Sequence, residues 1–478
     1  MSEVPNDGPS GLEPVSDAPT PESSAPATTS KGAVEADTVV AKKGKGPSDS
    51  PSTTVDVKGL TDVQLMKYFQ DQEMERLIAR TQRMAQKGKD TPKDHKFWNT
   101  QPMLGFKEEV EESANEAIDQ TTTLADIRTE ALNMPAGFEW KPFDITDPIQ
   151  AQEVYVLLRD NYVEDDDCTF RFDYSIGFLQ WALTQPGYLQ DWHVGVRNVK
   201  TGALMGIITA VPVHVRVHDQ VKGMAEINFL CVHKKLRTKR LAPVLIKEIT
   251  RRVNLTDRWQ AVYTAGVVLP KPVGRCRYYH RSLNPKKLIE ARFSSLPPKI
   301  TMASHLKNLK LPAKPSTHGL RLMRPEDVPG VHKLLNDYLD SRTKLAQIFS
   351  VDDVGHNLLP RPGVINSYVV EGASGITDLC SFYHLPSTIM GNKLHNQLSA
   401  VYAYYNVATT VTVTELMRDL LVLARNEGAD VFNCLDVMDN PEFFEPLQFG
   451  SGDGFLQYYV YNWRCQPIPS SEVGIVLL

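Results

Sequence analysis

Residues Glu226 to Asn254 have the sequence EINFLCVHKKLRTKRLAPVLIKEITRRVN. The first seven, ending at Val232, carry the aliphatic and aromatic side chains that are typical of a buried strand. Leucine, isoleucine and valine then recur at helical spacing from Leu241 onward, and Pro243 falls in the first turn, where a helix tolerates proline. The pattern predicts a buried strand, a short basic turn and an amphipathic helix.

The turn between this strand and this helix is a candidate phosphate site. Arg237, Lys239 and Arg240 surround the predicted start of the helix. The first amides of a helix have no partner within the helix and carry the positive end of its dipole, so they favour anions. Basic turns are also common on solvated faces, so the residues alone leave two interpretations open, a phosphate cradle or a surface turn.

Composition argues against several classes of function. A formal net charge of −5 over 478 residues is unlike a general nucleic-acid-binding protein, which needs a broad basic surface, so we expect no DNA partner. The six cysteines form no Cys-x-x-Cys pair, which predicts reduced thiols in a cytoplasmic (cytosolic) protein and no metal site. No apolar run reaches the length of a transmembrane segment.

The first 90 residues differ in composition from the rest. Residues 1 to about 55 are rich in Pro, Ser, Thr, Ala and Gly and cannot bury enough apolar surface to offset chain entropy, and we expect a disordered, variable tail over 1–90. Thr61 and Gln64 indicate a capping box for a helix over 60–87. The basic residues at 42–45 are either solvated linker charges or a docking site for an acidic partner such as a ribosome.

Strand and helix patterns follow in a similar order twice along the chain. In the first set, Leu204–Val211 and Val213–Val217 are predicted as separate strands. In the second, Thr412–Asn426 is predicted as a helix and Leu456–Trp463 as the last long strand. Residues 295–318, rich in proline and lysine, connect the two sets. The repeated order predicts a duplicated mixed sheet.

Several segments together resemble one enzyme family, in the family's own order. They are Lys96–Pro102, Asn161–Asp167, Phe170–Ser175, Glu226–Arg240, Arg277–Pro285, Leu385–Thr388, Phe449–Tyr459 and the chain end. The family is the N-myristoyltransferases, or glycylpeptide N-tetradecanoyltransferases, and the resemblance covers residues 95–478. It implies a mixed α/β fold in which two pseudo-symmetric halves, similar to GNAT acetyltransferases, share a large saddle-shaped mixed β-sheet flanked by helices. The acyl-CoA half is expected over 91–300, and the half with the peptide groove and the C-terminal carboxylate over 301–478.

The resemblance implies a reaction and a co-substrate. The reaction is transfer of a myristoyl (tetradecanoyl) group from myristoyl-CoA to the N-terminal glycine amine of a protein, which forms an amide. Myristoyl-CoA is then a co-substrate, and no permanently bound cofactor is expected. The positions that match the family's acyl-CoA contacts are His95, Lys96, Phe97, Trp98, Leu230, Cys231, Val232, Thr238, Lys239, Arg240, Leu241 and Ala242.

The expected catalytic groups belong largely to the backbone. By resemblance, the amides of Phe229 and Leu230 stabilise the oxyanion, which requires the strand to break its ladder pairing there. The last six residues are apolar and should be buried, against the usual expectation for a terminus. The resemblance assigns the role of base to the α-carboxylate of Leu478, and a buried carboxylate that faces an ammonium group is suited to take its proton. The other expected catalytic residues are Asn228 and Thr264.

The resemblance also implies a peptide groove with a narrow channel for the N-terminal glycine. The matching positions are Tyr162, Asp165, Asp167, Phe170, Phe172, Gly266, Tyr278, His280, Phe293, Ser387, Tyr402, Asn433, Asp453 and Leu456. The acids suit a substrate with a basic residue some positions after the glycine. From the residues alone, 165–167 could equally be a solvated acidic loop, and Asp453, between two glycines, a turn former.

The expected partners of this chain are nascent proteins and peptides with an N-terminal glycine, bound by a monomer. Two alternatives stay open. One is a GNAT-type N-acetyltransferase that uses a shorter acyl chain, and the other is a non-catalytic peptide-binding protein. Acyl-chain preference in a transfer assay separates the first from the myristoyl reaction. Loss of turnover on extending the chain past Leu478, with acyl-CoA binding intact, argues against the second.

Overall fold

The computed structural model describes residues 96–478, except 166 and 374, all within one compact unit, Lys89–Leu478. The predicted tail over 1–90, its helix and basic residues, and His95 lie outside the described residues. The strands are β1 (Asn115–Glu116), β2 (Phe138–Trp140), β3 (Phe170–Phe172), β4 (His193–Asn198), β5 (Leu204–Val217), β6 (Gln220–Val232), β7 (Ala261–Ala265), β8 (Gly274–Ser282), β9 (Leu320–Leu322), β10 (Leu345–Gln347), β11 (Ile365–Gly372), β12 (Gly375–His384), β13 (Ser387–Ile389), β14 (Gln397–Leu398), β15 (Ala400–Ala403), β16 (Val431–Leu435), β17 (Gly450–Tyr461), β18 (Arg464–Cys465) and β19 (Val473–Gly474). The α-helices are α1 (Pro148–Asn161), α2 (Ile176–Leu183), α3 (Leu241–Asn254), α4 (Pro285–Glu290), α5 (Met302–Asn308), α6 (Val328–Arg342), α7 (Val351–Leu358), α8 (Val413–Asn426) and α9 (Pro441–Phe444).

Most of these strands form one large mixed sheet. Its order is β19-β10-β5-β6-β7-β17-β8-β16-β15-β12-β11-β9, and β4 also pairs with β5 and carries β2 at its outer edge. The pairs β6–β7, β15–β16 and β10–β19 are parallel, whereas the other neighbours in the sheet are antiparallel. The large mixed sheet predicted from the sequence is therefore confirmed.

The order of elements repeats along the chain. The first half runs β2, α1, α2, β4, β5, β6, α3, β7 and β8, and the second runs β9, α6, α7, β11, β12, β15, α8, β16 and β17. The halves interlock at the centre of the sheet, where β17 of the second half lies between β7 and β8 and where β8 pairs with β16. Each half therefore supplies a strand that the other half's sheet needs.

The first half departs from the sequence prediction at Pro212. Leu204–Val217 is one strand rather than two, and it continues through the proline, which lies opposite Ala225. The Ala225 amide points away from β5, because it donates to Gln260 O at 3.1 Å. Pro212 and Ala225 are therefore a pair of opposite residues that exchange no ladder hydrogen bonds. The Pro212 nitrogen then faces the other edge of β5, away from β6. That edge is paired by β4 only up to Thr209 and by β10 only from Val215, so the missing N–H costs no ladder bond.

Helix α3 follows β6 as predicted, although the connection differs. Its apolar side chains pack with residues of β4 and β5 in one buried cluster that includes Leu245, Ile249, Val194 and Ile208. The expected tight turn is a six-residue 3-10 helix, Lys234–Lys239. The extra turn lets the chain reverse direction before α3 begins.

The C-terminal end of the chain also differs from the prediction. The strand predicted at Leu456–Trp463 begins earlier, at Gly450, and ends at Tyr461; it is the last long strand, as predicted, and only the two-residue strands β18 and β19 follow it. Strand β19 pairs in parallel with β10, with Val473 opposite Leu345. The final residues are thus held at one edge of the sheet rather than left beyond it.

Candidate active site

Strand β6 carries a bulge near its end. Ile207 of β5 lies opposite Cys231 and Thr209 lies opposite Asn228, so Phe229 and Leu230 together oppose a single residue of β5. Phe229 has a φ of 49°, a left-handed conformation that is rare for a bulky residue and that is stored mainly at functional sites. The ladder is therefore interrupted at the two residues whose amides the sequence assigned to the oxyanion.

Aromatic packing holds this bulge in place. The Phe229 side chain is buried, and its ring lies 5.1 Å from the ring of Tyr174, edge to face, and 6.1 Å from that of Tyr162. The Thr209 hydroxyl donates to the carbonyl of Asn228 at 2.9 Å, just before the bulge. Tyr162, one of the expected channel residues, is thus in contact with the bulge itself.

The start of α3 is open to solvent. Thr238, Lys239 and Arg240 are exposed, and Arg240 has a φ of 57° at the N-cap without a side-chain hydrogen bond to the helix. Six of the nine α-helices in the described residues have a side-chain cap, as α1 has in Asp147, whose Oδ1 accepts from amides of its first turn, whereas α6 and α9 lack one as α3 does. The amides at the start of α3 therefore have no side-chain cap, as an anion site requires.

The 3-10 helix before α3 is fixed to α1. The Arg237 guanidinium donates to the carbonyl of Asn161 at 2.5 Å, and the Asn161 side chain accepts from the amide of Lys234 at 2.9 Å. Lys234 also forms an ion pair with Glu164. Arg237 is thus hydrogen-bonded to the protein although it is exposed, and Lys239 and Arg240 are the other exposed cations at the helix start.

The predicted aromatic cover packs against the centre of the sheet. The Trp98 ring stacks on that of Tyr263 at 5.8 Å and an interplanar angle of 12°, and Tyr263 stacks on Tyr459 at 5.0 Å. Phe97 contacts Trp98 edge to face, and Lys96 is exposed. The segment around Trp98 therefore lies on β7 and β17.

Burial makes Cys231, next to the bulge, a poor candidate for a nucleophile. Its side chain is buried, and this burial raises the pKa of the thiol to about 12, because the anionic form loses its hydration. A thiol with that pKa stays protonated at neutral pH, and the thiolate is the reactive form. Cys231 and the half-buried Val232 are therefore suited to line a binding surface rather than to react.

The chain end lies inside the protein. Residues 473–477 are buried, and Leu478 is partly buried against the same core as Phe229. The Tyr458 hydroxyl donates to the carbonyl of Ile475 at 3.1 Å, and the amide of Val476 donates to the Tyr405 hydroxyl at 3.2 Å. Thr264 of β7 lies opposite Tyr458 in the sheet. This connects the strand that carries Thr264 with the terminal segment.

Gly266 follows β7 at an open position. A Cβ placed there would meet no atom within 4 Å, so the protein itself does not require glycine at this site. The residue is exposed, and two exposed valines, Val267 and Val268, follow it. Open space in front of the strand is what the expected channel requires.

The expected groove residues form two groups of contacts. In the first, His280 Nδ1 lies 2.7 Å from Asn433 Oδ1, and the Phe293 ring lies 5.4 Å from His280 and 5.7 Å from Phe170. In the second, Tyr278 and Tyr402 are ring neighbours at 6.4 Å. The second group shares a small cavity with Asn433 and with Val476 and Leu477 of the terminal segment. The cavity links the groove to the chain end.

The other expected groove residues lie on strands or in loops of known pairing. Ser387 of β13 is buried and pairs with Phe172 of β3, and Leu456 is partly buried on β17. Asp165 Oδ1 accepts from the amides of Thr169 and Phe170, both at 2.7 Å, so this carboxylate stabilises its own loop. The remaining acids, Asp167 and Asp453, are exposed, and Asp453 lies where the β17–β8 register shifts.

Sequence reasoning missed several residues that shape the site. The Tyr383 ring stacks on that of Tyr402 at a centroid distance of 5.3 Å. Tyr404 and Tyr405 come shortly after Tyr402 in the sequence. A Cβ on Gly452 would lie 2.5 Å from His280 Nε2, so only glycine fits beside that ring. Glu226 is buried, and its Oε1 accepts from Asn228 Nδ2 at 2.7 Å. The sequence signals for these were the tyrosine-rich run at 402–405 and a carboxylate within an otherwise apolar strand.

Within residues 96–478, apart from 166 and 374, the structure shows no group of three or more His, Cys, Asp or Glu side chains that could hold a metal ion. The cysteines of this part are free thiols. No helix there is long and apolar enough to span a membrane.

Comparisons with known proteins identify the family. Two family models match, the N-terminal domain of myristoyl-CoA:protein N-myristoyltransferase over residues 117–276 and its C-terminal domain over residues 290–476. Glycylpeptide N-tetradecanoyltransferase 1 of Arabidopsis thaliana is 52% identical over 390 residues, which is 81% of this chain and 90% of that protein. The glycylpeptide N-tetradecanoyltransferase of Drosophila melanogaster is 48% identical over 402 residues, or 84% of this chain and 83% of that one.

A solved structure agrees with the sequence matches. The crystal structure of Saccharomyces cerevisiae N-myristoyltransferase with bound myristoyl-CoA superposes with a TM-score of 0.77 at 44% identity. The match covers 81% of this chain and 100% of that one. The chain therefore belongs to the myristoyl-CoA:protein N-myristoyltransferase family.

Proposed function

We propose that this chain transfers a myristoyl group from myristoyl-CoA to the N-terminal glycine amine of proteins and so forms an amide. The observation that carries the proposal is the bulge at Phe229 and Leu230. The chain runs from this bulge through a 3-10 helix to the uncapped start of α3, and Phe229 packs in the same hydrophobic core as the chain end. An acyl acceptor, an oxyanion site and a base can meet there. The family and the yeast relative with bound myristoyl-CoA support the same reaction.

The acyl-CoA site is proposed on the first half. The uncapped amides at Thr238–Ala242 and the exposed Lys239 and Arg240 would hold the CoA phosphates, because a helix start and nearby cations both favour anions. The segment His95–Trp98 would close over the CoA, and the Trp98 stack supplies an apolar face for it. Leu230, Leu241 and the backbone at 231–232 would line the path of the thioester.

The oxyanion is proposed to bind the amides of Phe229 and Leu230. Fixed donors aimed at developing charge need no reorganisation during the reaction, and removing one such donor in other acyl-transfer enzymes costs about 3 kcal/mol. The amine nitrogen attacks the thioester carbon, the C–S bond then breaks, and CoA leaves as its thiolate. The proposed transfer is direct, and the pKa of about 12 to which burial raises the Cys231 thiol disfavours an acyl–cysteine intermediate.

The proposed base is the α-carboxylate of Leu478. An N-terminal amine has a pKa near 8, so at neutral pH most of it is ammonium and must lose a proton before it attacks. Burial of the terminal segment beside the groove cavity supports a carboxylate in this role. Asn228 and Thr264 would accept hydrogen bonds from the ammonium group and orient it toward the thioester.

Selection of glycine is proposed to arise at the channel beside Tyr162 and Gly266. The open space in front of Gly266 would admit a backbone, and any Cβ on the first residue of the substrate would compete for it. The rest of the peptide would lie along the two groups of groove contacts and past the acids Asp165, Asp167 and Asp453. These acids would favour a basic residue beyond the glycine.

We also propose the organisation of the whole chain. Residues 91–300 would form the acyl-CoA half and 301–478 the half with the groove and the terminal carboxylate, as the repeated order of elements supports. The enzyme would act as a cytosolic monomer on nascent proteins. The basic residues at 42–45 of the tail would provide contact with a ribosome.

The test is mass spectrometry of a glycine-initiated peptide incubated with the full-length protein and acetyl-, decanoyl- or myristoyl-CoA. We expect a mass gain of one myristoyl group on the terminal amine, with myristoyl-CoA preferred. A matched peptide with alanine in place of glycine should stay unmodified. Preference for acetyl-CoA would support the shorter-chain acetyltransferase, and no transfer from any of them would support the peptide-binding alternative.

A further inference from the structure

Glu226 is a buried carboxyl group in the middle of the sheet. It lies on β6 between Val211 of β5 and Val262 of β7, with 4% of the residue exposed. Its position is two residues before Asn228 on the same face of the strand, and Asn228 Nδ2 donates to Glu226 Oε1 at 2.7 Å. The two polar side chains are therefore a buried pair, directly before the bulge.

Retaining this carboxyl is costly for the fold. Burial raises its pKa to about 7, and the hydrogen bond from Asn228 lowers it only in part. A buried carboxylate is usually compensated by a cation, whereas here the compensating group is a neutral amide. A carboxyl kept under these conditions, beside the proposed reaction centre, suggests a role in the reaction.

The pair fixes which way the Asn228 amide faces. A primary amide can donate from its nitrogen or accept at its oxygen, and the two orientations differ by a half-turn of the group. In its ionised form, above a pKa of about 7, the Glu226 carboxylate only accepts, so in that form it selects the orientation in which Asn228 Nδ2 points to it. Thr209 fixes the backbone carbonyl of the same residue. The Asn228 amide oxygen is then left as the acceptor that can face a substrate.

The pair also lies close to the terminal segment. Burial raises the pKa of Tyr404 and of Tyr405, and the charge of Glu226 adds a smaller contribution to both. The Tyr405 hydroxyl accepts from the amide of Val476. Tyr405 is therefore the residue that links the surroundings of Glu226 to the terminal segment.

We propose that Glu226 is a positioning residue for the acyl transfer: its carboxyl holds the Asn228 amide so that Asn228 Oδ1 accepts a hydrogen bond from the incoming glycine ammonium. The inference rests on the proposed function, since it concerns how that amine is oriented. Glu226 acts through Asn228 and does not itself touch the substrate.

The test is a double-mutant cycle in steady-state transfer of myristate to a glycine-initiated peptide. We expect Asn228→Ala and Glu226→Ala each to lower kcat by about 10- to 100-fold, with myristoyl-CoA binding measured by calorimetry unchanged. The double variant should be no slower than Asn228→Ala alone, because both changes remove one interaction. Glu226→Gln, which can bond the amide in either orientation, should fall between Glu226→Ala and the wild type.

A matched control separates this role from a general effect of removing a buried acid. Glu248 on α3 is fully buried and pairs with Arg251 and Arg252 away from the bulge. Glu248→Gln is expected to lower the melting temperature and to keep kcat.

Three results would overturn the inference. The first is wild-type kcat in both Glu226 variants, and the second is a double variant that shows the product of the two single losses. The third is full activity in Asn228→Ala. If the wild type itself transfers no acyl group, the proposed function fails, which is a different result from any of these three.

Discussion

At the scale of single residues, the backbone of Phe229 sets the geometry of the proposed oxyanion site. A left-handed conformation in a bulky residue costs on the order of 1–3 kcal/mol and persists only where the surroundings over-determine it. Here the rings of Tyr174 and Tyr162 pack on the Phe229 ring, and Thr209 holds the preceding carbonyl. The aromatic cluster therefore stabilises a backbone shape, and the identity of the Phe229 side chain matters through that packing.

Glu226 should make the stability of the protein depend on pH. Its pKa is about 7 in the folded chain against 4.5 for an ordinary glutamate, so the native state holds this proton more tightly than the unfolded state does. The stabilising contribution is full below pH 4.5 and is lost as the pH rises through 7, a loss of about 3 kcal/mol. We expect Glu226→Gln, which stays neutral, to remove this part of the pH dependence.

The measurement is urea unfolding of the wild type and Glu226→Gln at several pH values from 5 to 8. The difference in unfolding free energy between the two should shift in favour of the variant as the pH rises. Glu248→Gln is the control, because the guanidinium groups of Arg251 and Arg252 help to hold the pKa of Glu248 below its ordinary value. Parallel curves for the wild type and Glu226→Gln would contradict the prediction.

At the scale of elements, strand β19 is the one that orients the chain end. Gly474 lies opposite Ala346 of β10, and a Cβ at this glycine would lie 2.6 Å from Thr343 Cγ2 and 2.8 Å from Leu339 Cδ2 of α6. We expect Gly474→Ala to push β19 away from α6 and to move the residues that follow it. Turnover should fall at least tenfold, because a base displaced by an ångström loses its alignment.

The control for this prediction is Gly355→Ala in α7, where an added Cβ meets no atom within 4 Å. That variant should keep its activity and gain slightly in helix stability. Binding of myristoyl-CoA, followed by calorimetry, should be unchanged in both. Full turnover in Gly474→Ala would show that the position of the terminal strand does not matter for the reaction.

The helices and strands that the sequence predicted well are those whose own residues carry the signal, such as a capping box or an apolar repeat. Helix α8 is one example, because Thr412 and Glu415 form a capping box at its start and apolar residues recur behind it. The single strand through Pro212 was mispredicted, since tolerance of proline there depends on where the distant strands β4 and β10 stop pairing. The left-handed Phe229 has no signal in its own residue type. What was expected, because a resemblance placed the oxyanion site there, was only that the strand would break its ladder pairing.

Contacts between residues far apart in the sequence also limited what could be predicted of the candidate site. Contacts such as His280 with Asn433 join strands β8 and β16 from opposite halves of the chain, so no spacing in the sequence encodes them. The Glu226–Asn228 pair lies two residues apart within one strand, and alternation alone could have found it. The burial of the pair, which makes an uncompensated carboxyl group notable, depends on tertiary packing that the sequence does not reveal.

At the scale of the whole molecule, the exchange of strands makes the site a property of both halves. Strand β17 is hydrogen-bonded to β7 and β8 of the first half, and its Tyr458 holds the carbonyl of Ile475. The bulge on β6 and the terminal segment therefore take their relative positions from one continuous sheet. The base proposed at Leu478 would then be positioned by the same sheet that carries the bulge.

This architecture predicts that the charge at the chain end, and not only its burial, is required for turnover. Replacing the terminal carboxylate by a carboxamide through protein ligation changes the charge and almost nothing else, so Leu478 should keep its packing against the core. We expect kcat to fall at least 100-fold, because the amide cannot accept the ammonium proton, while myristoyl-CoA binding and the melting temperature stay as in the wild type. A ligated protein with the native carboxylate is the matched control for the procedure. An extension of three residues past Leu478 should give the same loss by moving the carboxylate away. If the carboxamide protein turns over at the rate of its control, the proton is taken by another group, and the role proposed for Leu478 is wrong.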